Sequence, residues 1–332
     1  MISFGPLTSH ADLDGLLRVS AAHFGSEGYQ HLPRYIEWLY QANPAGRGTS
    51  DCLVARRDGA VLGCMHRMRL PLVDRDGPRS FAVLHNHFVE EEMRSGPGVL
   101  LLRRAVKDVD LGFAPGVQAP LDQVYRRLSF IEHPGYWLVR LLAPVAAVAQ
   151  LGRARVIGSR PLRVDLSRLQ QRFGGDLTVT AEPTDDAVDR LCRAMQFGLS
   201  GKAAVAWTPE LVRWRYFHPL GPRHLLVNVP GREQAAVVSI GKRRGLGVAR
   251  LMEVVGTRDP AFLRQVTRVM RAAGAALGLV FSTDSAMVST LTTQGWRLRN
   301  NGTFSFRTPG PALALGPAAT DVGFEAFTTE WS

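Results

Sequence analysis

The chain is poor in cysteine and has no long apolar run. Its three cysteines, Cys52, Cys64 and Cys192, form no CxxC pair and leave an odd count, so neither a disulfide framework nor a structural zinc site is indicated. No run of about 18 apolar residues is present, and the first residues lack the basic and apolar regions of a signal peptide. We therefore expect a cytoplasmic protein with no transmembrane segment and no metal.

Positive charge is concentrated in the second half of the chain. Residues 1–150 hold 16 Lys and Arg against 15 Asp and Glu, whereas residues 151–332 hold 24 against 14. Such a half attracts polyanions, including a phosphorylated ligand or an acidic carrier protein, or it is simply an Arg-rich solvated surface. The basic residues are scattered and belong to no recognisable nucleic-acid-binding motif, which argues against a nucleic-acid partner.

The order of predicted elements occurs twice. In each half two helices are followed by three strands, a helix, a strand, a helix and a strand, and Asp58-Gly59 predicts a hairpin between the first two strands of the first half. The segment "IEWLYQANP" aligns with "VRWRYFHP", which pairs Trp38 with Trp214 and Tyr40 with Tyr216. An internal duplication of one α/β unit follows. We predict domains at 1–145 and 181–332, with a connecting segment at 146–180.

Three stretches of the first half carry a family resemblance. They are "HNHFVEEEMRSGPGVLLLRRAV", "VDLGFAPG" and "APLDQVYRRLSFIEH". In this order they resemble the GNAT superfamily, the Gcn5-related N-acetyltransferases, in a tandem two-domain arrangement. The resemblance implies an α/β fold of the α+β type, in which each domain has a mixed, mostly antiparallel central sheet flanked by helices.

The resemblance also implies a loop that binds the pyrophosphate of an acyl-CoA such as acetyl-CoA. In that loop the first N–H groups of a helix face the anion, and glycines let the backbone approach closely. Gly96 and Gly98 match the Gly-x-Gly of the superfamily, but Met93 stands where Arg or Gln is usual and Arg94 is one residue nearer. The donor-binding residues implied by the match are Phe88, Val89, Arg94, Ser95, Gly96, Gly98 and Val99.

A second match to the same pattern lies in the other half. "KRRGLG", residues 242–247, has the basic residue and both glycines, but it lies between two apolar strand runs, where a hairpin turn and no helix is expected. The equivalent of the donor loop is instead "VVGTRDPAF", which has only Gly256. We infer that the second copy is degenerate for cofactor binding.

Two kinds of side chain are candidates for the chemistry of acyl transfer. Tyr125 lies where superfamily members often place the acid that protonates the departing thiolate, although it could equally be an aromatic residue of an amphipathic helix. His85 and His87 alternate on the third strand and should share one face, with Asn86 on the other. His87 is our candidate general base, with water as the alternative, and a structural role for either histidine remains open.

Trp38 and Tyr40 lie on a helix that covers the acceptor side of such folds. They either pack in the core or, together with His85 and Asn86, line an acceptor pocket. The resulting hypothesis is an N-acyltransferase that moves an acyl group from acyl-CoA, or from an acyl carrier protein, to an amine of a small molecule such as an amino sugar, an amino acid or a lipid or polysaccharide precursor. The alternative is a catalytically inactive GNAT-like binding or regulatory module. The sequence leaves the oligomeric state undetermined.

Overall fold

The computed structural model describes ten stretches of the chain. They are residues 1–24, 30–74, 77–91, 96–115, 119–157, 162–197, 204–243, 245–257, 259–282 and 284–307. The first half contains β1 (Ile2–Pro6), α1 (His10–Phe24), α2 (Pro33–Ile36), β2 (Cys52–Arg57), β3 (Ala60–Asp74), β4 (Gly77–Val89), α3 (Pro97–Ala105), β5 (Leu111–Pro115), α4 (Ala119–Arg127) and β6 (Phe130–Leu141). A π-helical turn, Glu37–Gln41, continues α2.

Two helices connect this half to the next. They are α5 (Pro144–Ile157) and α6 (Leu166–Phe173). The second half contains β7 (Thr178–Thr180), α7 (Asp185–Phe197), β8 (Ala204–Val205), α8 (Pro209–Val212), β9 (His224–Asn228), β10 (Ala235–Arg243), β11 (Leu246–Val255), α9 (Pro260–Ala272), β12 (Leu277–Ser282), α10 (Ser285–Thr293) and β13 (Arg297–Arg307). A π-helical turn, Arg213–Phe217, continues α8.

The predicted duplication is present element by element. Leaving aside β8 and a 3-10 turn at Gly48–Asp51, each element of the first half has a counterpart of the same type and in the same order in the second. The correspondence includes β1 and β7, two strands that the sequence analysis did not predict. It also includes both π-helical turns, each of which continues a four-residue helix that begins with Pro33 or Pro209. The two halves are therefore copies of one unit.

Local sequence explains the elements that position the candidate site. The Ser9 hydroxyl accepts a hydrogen bond from the backbone N–H of Asp12, 3.1 Å away, and so caps the start of α1. Asp58 and Gly59 have φ values of 50° and 86°, as a two-residue type I′ turn requires. The hairpin predicted at this dipeptide is thus confirmed between β2 and β3.

Within the described residues, all thirteen strands join one sheet. Twelve of them follow the order β1-β2-β3-β4-β5-β13-β6-β12-β11-β10-β9-β7, and β8 pairs with β3. Neighbouring strands are antiparallel except for β4 with β5 and β11 with β12. The predicted fold class, two mixed and mostly antiparallel units flanked by helices, is confirmed.

The last strand of each half pairs with the other half. β6 pairs with β12, where Leu141 lies opposite Leu277. β13 pairs with β5, where Arg307 lies opposite Gly112, and also with β6. The predicted bounds 1–145 and 181–332 divide the sequence, but the sheet is continuous across them, and β7 of the predicted connecting segment pairs with β9.

Helices cover both faces of the sheet. One face carries a single hydrophobic core to which both halves contribute, including Trp38, Trp214, Phe81 and Phe281. On the other face, one core lies beneath α3 and α4 and another beneath α9 and α10. Among the described helices, none combines the length and apolar character needed to cross a bilayer.

Candidate active site at the divergence of two parallel strands

Strands β4 and β5 separate before β4 ends. Their parallel pairing comprises Phe81 with Leu111, Ala82 with Gly112 and Val83 with Phe113. β4 continues to Val89, so its residues 84–89 run on without β5 as a partner. The backbone groups on that side of β4 are left facing the gap, and a ligand can form hydrogen bonds with them.

The start of α3 lies just beyond this gap, and no side chain of the described residues caps it. Gly96, at the N-cap position, has φ 150° and no side chain to accept from the first turn. An added Cβ at Gly96 would meet no atom of the described residues within 4 Å, so open space lies beside this residue. Gly98 is buried in the first turn, and Val99 follows it. Met93, Arg94 and Ser95 lie outside the described residues.

Three consecutive acids, Glu90 to Glu92, precede this loop and would oppose a bound anion if their carboxylates faced it. The backbone N–H of Glu90 donates to the carbonyl of Leu62 at 2.8 Å. Its carboxylate lies 3.9 Å from the guanidinium of Arg18 on α1, on the face of the sheet opposite α3. Glu90 is therefore directed away from the start of α3. Glu91 is exposed, and Glu92 lies outside the described residues.

A β-bulge in β4 corrects the prediction that His85 and His87 share a face. Cys64 pairs with Phe88 and His66 with His85, so Asn86 and His87 together lie opposite a single residue of β3. Asn86 has φ 49°, a conformation that Asn tolerates better than most residues. The extra residue shifts the alternation. As a result, His85 lies on the same face as Asn86, and His87 lies on the α3 face.

His87 connects the end of β4 to α3. Its Nε2 lies 3.1 Å from the carbonyl oxygen of Gly98. Since a carbonyl only accepts, Nε2 carries the proton and Nδ1 is the basic atom. Burial lowers the pKa of His87 to about 4, although the Gly98 contact acts in the opposite direction. At neutral pH the ring is uncharged.

His85 and Asn86 belong to a buried group of polar and aromatic side chains on the opposite face. His66 stacks on His85 with ring centroids 5.5 Å apart, and its Nδ1 lies 2.6 Å from the hydroxyl of Tyr40. The amide of Asn86 donates to the hydroxyl of Tyr35 at 3.2 Å. Burial lowers the pKa of His66 to about 3. Burial, with smaller contributions from His66 and then from Arg215 of the second half, also holds the pKa of His85 far below its ordinary value.

Trp38 and Tyr40 are fully buried. The indole of Trp38 stacks on that of Trp214, with centroids 5.4 Å apart, and Tyr40 is 2 % exposed beside His66. Both side chains pack at the junction of the halves and line no open pocket in the described structure. Of the two readings left open by the sequence, core packing is the one that the contacts support.

Tyr125 lies on the α3 side of the sheet, in the core that contains residues flanking the gap. It shares that core with Leu84 of β4, Ala114 of β5 and Leu101 of α3. Its ring packs edge-on against Phe130 at 4.8 Å. Tyr125 is 4 % exposed, and burial raises the pKa of its phenol above the ordinary value of 10. The hydroxyl is therefore a proton donor throughout the neutral range.

The described part of the second half lacks the corresponding features. The carboxylate of Asp259 accepts from the N–H of Ala261 at 2.8 Å, which closes the start of α9 with a negative charge. The side chain of Gln234 donates to the carbonyl of Thr257 at 2.8 Å, so the β9–β10 turn packs over this loop. Leu291 occupies the position in α10 that Tyr125 has in α4. Within "KRRGLG", Lys242 and Arg243 end β10 and Leu246 and Gly247 begin β11, so the described residues form the predicted strand hairpin and lead into a strand, not a helix.

A cluster of ion pairs that the sequence analysis missed fixes β3 near α3. Arg67 and Arg69 are both buried; Arg69 lies 2.7 Å from Asp51 and 2.7 Å from Asp108, and Arg67 lies 2.5 Å from Asp108. The available signal was the alternation of two arginines along a strand, which places both on one face. This cluster holds the C-terminal end of α3, where Asp108 follows the helix.

A groove of about 290 Å³ lies in the second half, between α7 and the β9–β10 turn. Leu191 and Leu226 form part of its apolar floor, and Arg190, Arg193 and Arg232 lie at its rim. None of the residues predicted from the sequence as site residues lines this groove.

The architecture defines the class of protein by its fold: the chain has the GNAT fold twice. Yeast (Saccharomyces cerevisiae) N-myristoyltransferase with bound myristoyl-CoA aligns with a TM-score of 0.61 and 10% identity, over 97% of this chain and 88% of that one. A GCN5-related N-acetyltransferase from Anabaena variabilis aligns with a TM-score of 0.57 and 12% identity, over 92% and 72%. A GCN5-related N-acetyltransferase from Kribbella flavida aligns with a TM-score of 0.54 and 14% identity, over 93% of this chain and 71% of that one. No family model and no curated sequence matches the chain.

Proposed function

We propose that the protein is an N-acyltransferase that moves an acyl group from a pantetheine thioester to an amine of a small molecule. The observation that carries the proposal is the separation of β4 from β5 directly before a helix start that no side chain caps. Acyltransferases of this fold, including one that binds myristoyl-CoA, support it. An amino sugar, an amino acid or a lipid or polysaccharide precursor would supply the amine.

The donor would lie along β4 with its phosphates at α3. Backbone groups of Phe88 and Val89 would bind the pantetheine arm in the gap, since β5 does not occupy them. The N–H groups at Gly96 and Gly98 would face the pyrophosphate, because the first turn of a helix carries partial positive charge and unpaired donors. Arg94, Ser95 and Val99 would complete this site. Acyl-CoA, including acetyl-CoA, is one donor; an acyl carrier protein is the other.

Acyl transfer forms an amide bond and breaks the C–S bond of the thioester. The neutral amine attacks the carbonyl carbon, loses a proton, and leaves the sulfur to depart as a thiolate. Tyr125 would give its phenolic proton to that sulfur, which its raised pKa permits at neutral pH. Water or Nδ1 of His87 would accept the amine proton. The Nε2 contact with Gly98 also makes His87 a residue that positions α3.

A calorimetric titration with acetyl-CoA and hexadecanoyl-CoA tests the donor site. We expect binding that is lost in Gly96→Val, because the side chain enters the open space before α3. The matched control is Gly231→Val: Gly231 also has positive φ, 72°, and open space around it, but it lies in the β9–β10 turn. An equal loss of acyl-CoA binding in both variants would mean that valine at a positive φ destabilises the whole fold, and would give no evidence for a donor site at Gly96.

Turnover of a panel of acyl-CoA and acyl carrier protein donors, with mixed amines as acceptors, tests the activity itself. An amide product that disappears in Gly96→Val supports the proposal. Absence of both binding and product with every donor would overturn it and favour the inactive binding module.

A further inference from the structure

The two halves fill the space between their first helix and their first hairpin in different ways. In the first half an ion pair occupies this space: Nε and Nη2 of Arg56 on β2 lie 2.6 and 2.7 Å from the two carboxylate oxygens of Asp12 on α1. Arg56 also donates to the carbonyl of Pro6 at 2.7 Å, and Asp12 accepts from the backbone N–H groups of Thr8 and Ser9. The pair is therefore satisfied within the chain.

The helix position of that pair is apolar in the second half. The Ser9 hydroxyl accepts from the backbone N–H of Asp12 at 3.1 Å, and the Thr184 hydroxyl accepts from that of Ala187 at 3.3 Å. Since each capping residue lies three positions before its partner, at the start of α1 or α7, Ala187 corresponds to Asp12. The second half thus has a methyl group where the first half has a carboxylate.

The strand position of the pair is an amide in the second half. Ser3, six residues before the cap of α1, pairs with Arg56 on β2. Thr178, six residues before the cap of α7, pairs with Asn228 on β9. Asn228 therefore corresponds to Arg56. Without the long guanidinium side chain, the space between α7 and the β9–β10 turn is open, and it forms the groove of about 290 Å³ that Asn228 lines.

The floor of this groove is aliphatic. It is formed by Leu191, Leu226, Val255, Ala187, Ala194 and Ala235, all of which belong to or pack against the core shared by the halves. None of the described residues that line the groove is aromatic, so the groove offers no ring on which a base could stack. The lining therefore favours an aliphatic chain.

The arginines at the rim differ in their partners. Arg190 forms an ion pair with Asp186 on the same helix. Arg193 on α7 and Arg232 in the β9–β10 turn have no ion-pair partner within the described residues. Glu233 is the one acid among the lining residues, and it is exposed. Two guanidinium groups are thus available to an anion, and their planar arrangement of donors suits a carboxylate.

The volume of the groove sets the size of its occupant. A dry cavity of about 150 Å³ holds one benzene molecule. A groove of about 290 Å³ therefore takes roughly twice as many atoms, or about twelve non-hydrogen atoms. Decanoate, an aliphatic chain that ends in a carboxylate, has this size.

We propose that the groove is a binding site for a fatty carboxylate of medium chain length. The aliphatic chain lies on the floor, and the carboxylate lies between Arg193 and Arg232, with the amide of Asn228 as a further donor. The Asp12–Arg56 pair shows that a contact between a carboxylate and a guanidinium fits between the helix and the hairpin of this unit. Three strands, β13, β6 and β12, separate β5 from β11, so the site is distinct from the donor gap and does not depend on the proposed acyl transfer.

Calorimetric titration of the 332-residue chain with sodium decanoate, below the concentration at which it forms micelles, tests the site. We expect saturable binding. Hexanoate, which has the charge and a shorter chain, should bind more than tenfold more weakly, because it buries fewer methylene groups. Decyltrimethylammonium, which has the same chain and the opposite charge, should not bind.

The decisive variant transfers the ion pair of the first half to the second. In Ala187→Asp/Asn228→Arg a carboxylate and a guanidinium occupy the groove at the equivalent positions and pair with each other, so decanoate binding should be lost. The control, Ala286→Asp/Ser289→Arg, adds the same two charges at exposed positions of α10 and should bind within twofold of the parent protein. Thermal unfolding verifies that both variants fold.

A second variant tests the rim without filling the groove. Arg193→Gln/Arg232→Gln should weaken decanoate binding about tenfold, because it removes hydrogen bonds between charged groups. Its control, Arg268→Gln/Arg271→Gln, removes two exposed charges from α9, on the opposite face of the sheet, and should bind like the parent protein. This variant decides the question if the transferred ion pair prevents folding.

The inference would be overturned by the absence of saturable decanoate binding, or by decyltrimethylammonium binding as tightly as decanoate. Equal binding by the parent protein and a folded variant with the transferred ion pair would place the decanoate elsewhere on the chain and would also overturn it. Equal losses in the Arg193→Gln/Arg232→Gln variant and its control would show that the two rim arginines do not hold the carboxylate, which is the remaining result against the proposal.

Discussion

Trp38 and Trp214 each donate a hydrogen bond to the backbone of the other. The indole N–H of Trp38 reaches the carbonyl of Trp214 at 2.9 Å, and that of Trp214 reaches the carbonyl of Trp38 at 2.6 Å. Each is the second residue of its π-helical turn, and the two are 176 residues apart. The two hydrogen bonds are equivalent, as expected for two halves related by an approximate two-fold axis. Both indoles lie in the hydrophobic core that the halves share.

Replacement of either tryptophan by phenylalanine should destabilise the protein. The change removes one indole donor, leaves a buried carbonyl without its partner and creates a cavity, for an expected loss of about 2–4 kcal/mol. Trp38→Phe and Trp214→Phe should have similar effects because their surroundings are equivalent. Urea unfolding measures both.

The double variant distinguishes a coupled pair from two separate sites. Residues in contact are not additive, so we expect the loss in Trp38→Phe/Trp214→Phe to fall short of the sum of the two single losses. Trp137→Phe, a partly buried indole on β6, is the control and should cost less. Strict additivity would mean that the two tryptophans do not act together.

Short sequence motifs predicted the internal repeat and the turns. They did not predict which strands of the two halves pair with each other. Trp38 and Trp214 could be aligned because they are part of the same short motif, and Asp58-Gly59 carries its turn geometry in its own side chains. β6 pairs with β12, and β13 pairs with β5, so the last strand of each half has a partner in the other half. The alternation of apolar residues shows which face of a strand is buried but not which distant strand it pairs with. The bulge at Asn86 likewise depends on the register between β3 and β4, and it moved His87 to the other face.

Ser129 and Gly295 offer a test of backbone strain at equivalent positions. Each is the second residue after its helix, α4 or α10, and their φ values are 66° and 84°. Serine is strained in this region and glycine is not. Ser129→Gly should therefore stabilise the protein by about 0.5–1 kcal/mol, and Gly295→Ser should destabilise it by a similar amount. Thermal unfolding measures the stability of both variants. If both were more stable, or both less stable, than the parent protein, the explanation by backbone strain would be wrong.

Buried His66 should make the protein sensitive to acid. Its pKa is lowered by burial to about 3, against about 6.5 in the unfolded chain. Unfolding therefore takes up a proton between these values, so stability is complete above about pH 6.5 and falls as the pH is lowered toward 3. From pH 7.5 to 5 the loss from this residue is about 2 kcal/mol, at 1.36 kcal/mol per pH unit.

The variant His66→Gln isolates that contribution. At pH 7.5 it should be less stable than the parent protein, because it disturbs the contact with Tyr40. By pH 5 the difference should narrow by about 2 kcal/mol, since glutamine takes up no proton. Denaturant unfolding at several pH values measures it, with His10→Gln on exposed α1 as the control. A difference independent of pH would show that His66 does not titrate in this way.

Tyr125→Phe tests the chemistry that we propose at the gap. If the phenol protonates the departing thiolate, its loss should lower kcat about 100-fold and leave KM nearly unchanged, because the hydroxyl acts in the transition state. The ring remains packed against Phe130, so unfolding should change by less than about 1 kcal/mol. Tyr136→Phe, which removes a hydroxyl from β6, is the matched control. Unchanged kcat in Tyr125→Phe would assign the proton to water and leave Tyr125 a residue of the core beneath α3.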